Sequence, residues 1–121
     1  MNQSIALYKT IVDALANLGR GVYRNWVIER GFWPQLPKNE AINDFLNRLN
    51  QSDKEVLVNL LEEARDGGIH DTLAFFNDKI SVDGLKIVEN DVEMAQEPFG
   101  TELYYDWVCR REGDPWPSEE E

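Results

Sequence analysis

The sequence predicts a mainly helical α+β fold: a compact bundle of about five or six helices with one β-hairpin near residues 85–95. Three observations carry this. Apolar residues recur three and four apart along most of the chain, the spacing that lines one helix face. Glycine and proline clusters cut that pattern into short segments. One stretch alternates with period two instead, as a half-buried strand does. With 121 residues the chain falls in the single-domain range. The expected division is a globular domain over 1–113 and an acidic Pro- and Glu-rich tail over 114–121, loose at its end.

The first helix is expected from about Asn2 or Ser4 to Leu18, with Ile5, Tyr8, Ile11, Val12, Leu15 and Leu18 on its apolar face. Gly19 and Gly21 supply the left-handed stop that a side chain with a Cβ resists. A short second helix turns Val22, Tyr23, Trp26 and Val27 inward and ends at Gly31. Phe32 to Pro37 is a loop, because Pro34 and Pro37 cannot continue a helix.

Asn39 is placed to cap a third helix carrying Ile42, Phe45, Leu46 and Leu49. Ser52-Asp53-Lys54-Glu55 reads as a capping box opening a fourth, with Val56, Leu57, Leu60, Leu61 and Ala64 inward. The short link makes these two a helical hairpin, and Phe45 and Leu60 its core. Gly67-Gly68 stops the fourth helix, and Asp71 caps a short fifth with Ile69, Leu73, Phe76 and Ile80 on one side. Leu85–Val88 and Val92–Ala95 form the β-hairpin around Asn90-Asp91. Thr101 caps the last helix, which buries Leu103, Tyr104, Trp107 and Val108. Arg110 and Arg111 stand in its final turn, where positive charge offsets exposed carbonyls, and Gly113 stops it.

The charge is unevenly spread. Residues 1–50 carry six Lys/Arg against four Asp/Glu, and residues 51–121 carry six against 19, for a net −11. Such a field speaks against nucleic acid and anionic membranes as partners and allows a basic protein. Cys109 has no second cysteine to pair with, which fits a reducing cytoplasm. Neither a secretory signal nor an apolar run of membrane-spanning length is seen, so a cytoplasmic location is expected.

Candidate chemistry is sparse. His70-Asp71 is the enzyme alternative, since a carboxylate can orient an imidazole as a base. Neighbouring residues usually point apart, however, and Asp71 has a capping position. Cys109, near two arginines, is more economically a small core filler than a reactive thiolate. Asp78, Asp83, Glu89, Asp91 and Glu93 gather oxygens without the spacing of a calcium loop, so a solvated acidic face is expected and no metal or cofactor. Gly19-Arg20-Gly21 lacks the remaining features of a dinucleotide turn. Trp33 and Trp116, each beside proline, either close the ends of a small core or serve as binding anchors.

The segments His70–Asp78 and Phe99–Pro117 resemble small acidic bacterial proteins of a domain-of-unknown-function family. That resemblance implies a bacterial source and a stand-alone domain, and it supplies no catalytic residue. In composition alone the chain is similar to immunity proteins that neutralise basic toxins. The expected function is a non-enzymatic interaction module of immunity or antitoxin type, whose binding residues include Trp33, Trp116, Glu89, Asp91 and Glu93. A homodimer through the exposed edge of the hairpin is the accompanying expectation, against which Lys86, Glu89 and Glu93 act as edge-blocking charges.

Overall fold

The computed structural model describes residues 2–19 and 21–118. The fold is mainly helical with one antiparallel hairpin, as the spacing predicts. The helices are α1 (Gln3–Ala16), α2 (Glu40–Asn47), α3 (Gln51–Asp83) and α4 (Leu103–Arg111). A π-helical turn, Asn25–Glu29, and a 3-10 turn, Pro37–Asn39, precede α2. Strands β1 (Val88–Glu89) and β2 (Val92–Glu93) form the hairpin. The chain divides into two compact units: a terminal unit of Met1–Leu18 with Gly68–Glu121, and a central unit of Gly19–Gly67.

In the terminal unit the apolar face of α1 buries Tyr8, Val12 and Ala16 against Leu73, Met94, Leu103 and Trp107. Asn2 begins α1, its side-chain oxygen accepting the Ser4 amide at 2.8 Å. Leu18, expected on the inner face, lies beyond the helix end and is exposed. Two-residue strands pair Val88 with Glu93 and Glu89 with Val92. Asn90 and Asp91 both have positive φ, 50° and 65°, the geometry of a tight primed turn. Short side chains that tolerate the left-handed region permit it. The hairpin is not isolated: the Ala95 amide donates to the Ser4 carbonyl of α1 at 3.1 Å.

In the central unit Val27, Leu46 and Val58 form a buried cluster, with Leu57, Leu61 and Trp33 packed around it. Leu46 of α2 and Val58 of α3 thus share a core, but Phe45 and Leu60 do not belong to it. They are 43% and 57% exposed. A three- to four-residue period leaves the choice between adjacent positions open, and packing against the π-turn selects 46 and 58. Val22, also expected inside, is exposed.

Four local signals behaved differently from their usual meaning. At α2 the Asn39 side chain donates to the Pro34 carbonyl at 2.8 Å instead of capping the helix. Gly67 and Gly68 lie within α3, which is one helix from Gln51 to Asp83, and Asp71 therefore caps nothing. Glycine lowers helix propensity by about 1 kcal/mol relative to alanine, a cost that flanking helix-forming turns absorb. The cap of α3 is Asn50: its side chain accepts the Asp53 amide at 2.8 Å, while Glu55 of the expected capping box pairs with Arg24 at 2.7 Å. At α4 the Leu103 amide is capped from a distance, by the side chain of Asn77 on α3 at 2.9 Å, rather than by Thr101.

Candidate functional site

Where α1 meets α4, the terminal unit holds a chain of polar contacts. Tyr8 and Asp106, both nearly inaccessible, face each other across the two helices. The Tyr8 hydroxyl donates to one Asp106 oxygen, and the Thr101 hydroxyl donates to the other at 2.6 Å. Burial pushes the Asp106 carboxyl above the ordinary aspartate range, although both hydrogen bonds oppose that shift. Burial, followed by the hydrogen bond to Asp106, also raises the Tyr8 phenol.

One turn further along, Arg110 donates from Nε to Asp13 Oδ1 at 2.7 Å, and Trp116 donates its indole N–H to Asp13 Oδ2 at 3.0 Å. Burial disfavours the Asp13 charge. The hydrogen bonds from Arg110 and Trp116, with the charges of Arg110 and Lys9, outweigh it and hold the carboxyl below its usual range. Arg110 also reaches the Asp114 carbonyl at 2.8 Å, and Arg111 reaches the Ala16 carbonyl at 2.7 Å. The two arginines therefore serve α1 and the following loop as well as the end of their own helix. The Trp116 ring lies edge-on to Tyr8, 6.0 Å between centroids, with the Arg110 guanidinium 5.2 Å from its centre.

A cleft of about 250 Å³ opens beside this cluster, lined by Phe99, Thr101, Tyr105, Asp106, Cys109, Arg110 and Trp116 among others. Most of its polar groups are spent internally: Asp106 on Tyr8 and Thr101, Arg110 on Asp13, Trp116 on Asp13. A hydrogen bond shared with Cys109 raises the Tyr105 phenol. The arrangement acts chiefly as a clamp that fastens the segment after α4 onto α1.

The remaining sequence-predicted residues lie apart. Glu89 and Asp91 are exposed on the hairpin, and Glu93 is 3.7 Å from Lys86. His70 Nδ1 lies 3.6 Å from Asp71 Oδ1, beyond hydrogen-bond distance, and the imidazole packs edge-on to Tyr104 with centroids 5.0 Å apart. Asp71 is almost fully exposed. Among the described residues no group of three or more His, Cys, Asp or Glu is placed to hold a metal ion. No helix is long and apolar enough to cross a membrane among the described residues.

In the central unit Trp33 is half-buried and packs against the cluster of Val27, Leu46 and Val58. It stacks on Tyr23, 8° from parallel, and takes Trp26 edge-on at 4.8 Å. Asn43 holds its backbone at both ends, accepting the amide at 2.7 Å and donating to the carbonyl at 3.2 Å. On α3 of this unit Val56 and Leu60 stand exposed, with Asp53 and Glu63 exposed at helical spacing on either side.

A family model, Family of unknown function (DUF6547), matches residues 1–118. The chain belongs to this family. No curated protein matches the chain. No solved structure does either. Membership of DUF6547 agrees with the resemblance carried by His70–Asp78 and Phe99–Pro117 and extends it over nearly the whole chain. For this DUF6547 member, the Tyr8–Asp106 and Asp13–Arg110 pairings were not foreseen from sequence. Their partners stand 98 and 97 residues apart, and no local pattern marks them. The one signal was a polar Asp106 on an otherwise apolar face of α4, between Leu103 and Trp107.

Proposed function

We propose that this DUF6547 protein is a non-enzymatic protein–protein interaction module of a bacterial cytoplasm, binding a basic partner in the manner of immunity or antitoxin proteins. The observation that carries the reading is the acidic hairpin. Glu89, Asp91 and Glu93 are exposed on a tight turn whose backbone is fixed by paired strands and by the bond from Ala95 to Ser4. Lys86 lies beside Glu93, and the hairpin otherwise presents carboxylates in the half of the chain with 19 acids against six bases. A rigid array of like charge raises encounter rates with an opposite surface.

The enzyme alternative rests on His70, whose imidazole packs on Tyr104 rather than against a second polar group at hydrogen-bond distance. The exposed edge of the hairpin is only two residue pairs long, which favours a partner held by side chains over a homodimer held by backbone. The test is to isolate the native partner by cross-linking, purify it, and measure association by stopped flow. Reversing Glu89, Asp91 and Glu93 to Lys should slow association at least tenfold at low salt, with the difference shrinking as salt rises. A purified partner that associates equally fast with the reversed protein would overturn the reading.

A further inference from the structure

We infer that the exposed face of α3 in the central unit is a docking ridge for a cationic amphipathic helix. The inference rests on the reading above, that the protein binds a basic partner, and names a contact surface and the partner's chemistry. Asp53, Val56, Leu60, Glu63 and Gly67 follow one another at spacings of three, four, three and four, and all are exposed. That is the spacing of a single helical seam. Val56 and Leu60, at 58% and 57% exposure, form its centre, and Ala64 widens it. The buried face of the same helix, through Val58, Leu57 and Leu61, is already used by the central core. The seam is therefore not needed to close the unit.

Charge selects the occupant. The seam is bounded by carboxylates at Asp53 and Glu63. Two arginines of the unit are engaged elsewhere: Arg24 pairs with Glu55 at 2.7 Å, and Arg65 donates to the Gly19 carbonyl at 2.7 Å. A second copy laid seam to seam would bring like charges together, an arrangement that specificity normally excludes. A helix with leucines in its own seam and lysines or arginines on the flanks would cover Val56 and Leu60 and pair with both carboxylates. Gly67, without a side chain, leaves room for close approach at one end of the seam.

The probe is a synthetic peptide of about three heptads with Leu at a and d and Lys on the flanks, beside a scrambled peptide of identical composition and charge. Binding is followed by calorimetry and by amide chemical shifts of the full chain. The ordered peptide should bind at least about tenfold tighter than the scrambled one, with shifts centred on residues 53–64. Val56→Ser with Leu60→Ser should abolish that preference while leaving the melting temperature nearly unchanged. Equal binding of the two peptides, lost on reversing Glu89, Asp91 and Glu93 to Lys, would overturn the ridge and leave the acidic reading standing. A preference that survives the double serine variant would also overturn it. So would a wild-type dimer in light scattering that the same variant dissociates, because the occupant would then be a second copy.

Discussion

Asp106 and Asp13 are two carboxylates on opposite sides of the ordinary range, separated by their surroundings. Asp106 is buried and receives two neutral hydroxyl donors; Asp13 receives a guanidinium and an indole. The linkage signs differ accordingly. A carboxyl whose folded pKa is raised binds more protons in the folded state, so its contribution falls as pH rises from about 4, the unfolded aspartate value, towards the folded one. A depressed carboxyl contributes fully above about 4 and loses that contribution as pH falls through its folded value. Asp106→Asn keeps an acceptor for Tyr8 and a donor for Thr101 without an ionisable group. The variant should fold, and its stability relative to wild type should improve as pH rises above about 4, as measured by urea unfolding across pH. A relative stability independent of pH would show that Asp106 does not titrate between the two states.

Elements give the clearest comparison of what the chain announces and what it conceals. Leu46 is buried and Leu60 is not. Leu46→Ala should cost about 2–5 kcal/mol through lost burial and a cavity. Leu60→Ala should change stability by only about 0.5 kcal/mol, as exposed positions do, and denaturant midpoints of the two variants check the contrast. Gly67 and Gly68 lie inside α3, with nothing within 4 Å of a Cβ built at either. Gly67→Ala and Gly68→Ala should each stabilise by about 0.5–1 kcal/mol in thermal unfolding. Helices α1 and α4, the loop at Phe32–Pro37 and the hairpin turn at Asn90-Asp91 were all legible, because each depends on nearby residues. The Gly-Gly stop failed because helix continuation is decided by packing on both sides of the pair. The Ser52 box failed because Asn50, two residues earlier, is an equally good acceptor. The cap from Asn77 to Leu103 spans 26 residues and has no local signature. Trp33 and Trp116 each pack, partly buried, against the core of their own unit, and the clamp around Asp13 was hidden by separation along the chain.

For the whole molecule the dominant quantity is the net charge of −11. Self-repulsion of this kind opposes the compact state and is reduced when ions shorten the range of the field. The melting temperature should therefore rise as sodium chloride is raised from about 10 to 150 mM, where the screening length falls from roughly 30 to 8 Å. Calorimetry showing a lower melting temperature with salt would mean that the favourable pairs, Arg24–Glu55 and Arg110–Asp13, outweigh the repulsion. Salt should weaken the first pair more, since its side chains are 48% and 44% exposed against 27% and 32% for the second.

The four tryptophans divide evenly between the compact units. Trp26 and Trp33 belong to the central one, Trp107 and Trp116 to the terminal one. The first two lie 4.8 Å apart and nearly perpendicular, close enough for their transitions to couple. Trp116 is set against cations and a carboxylate. Each unit thus carries its own optical label. The near-ultraviolet dichroism of the Trp26–Trp33 pair follows the central unit, and the part of the emission that a Trp116→Phe variant loses follows the terminal one. Recorded together during denaturation, the two signals reveal whether the two units unfold in one step or in two.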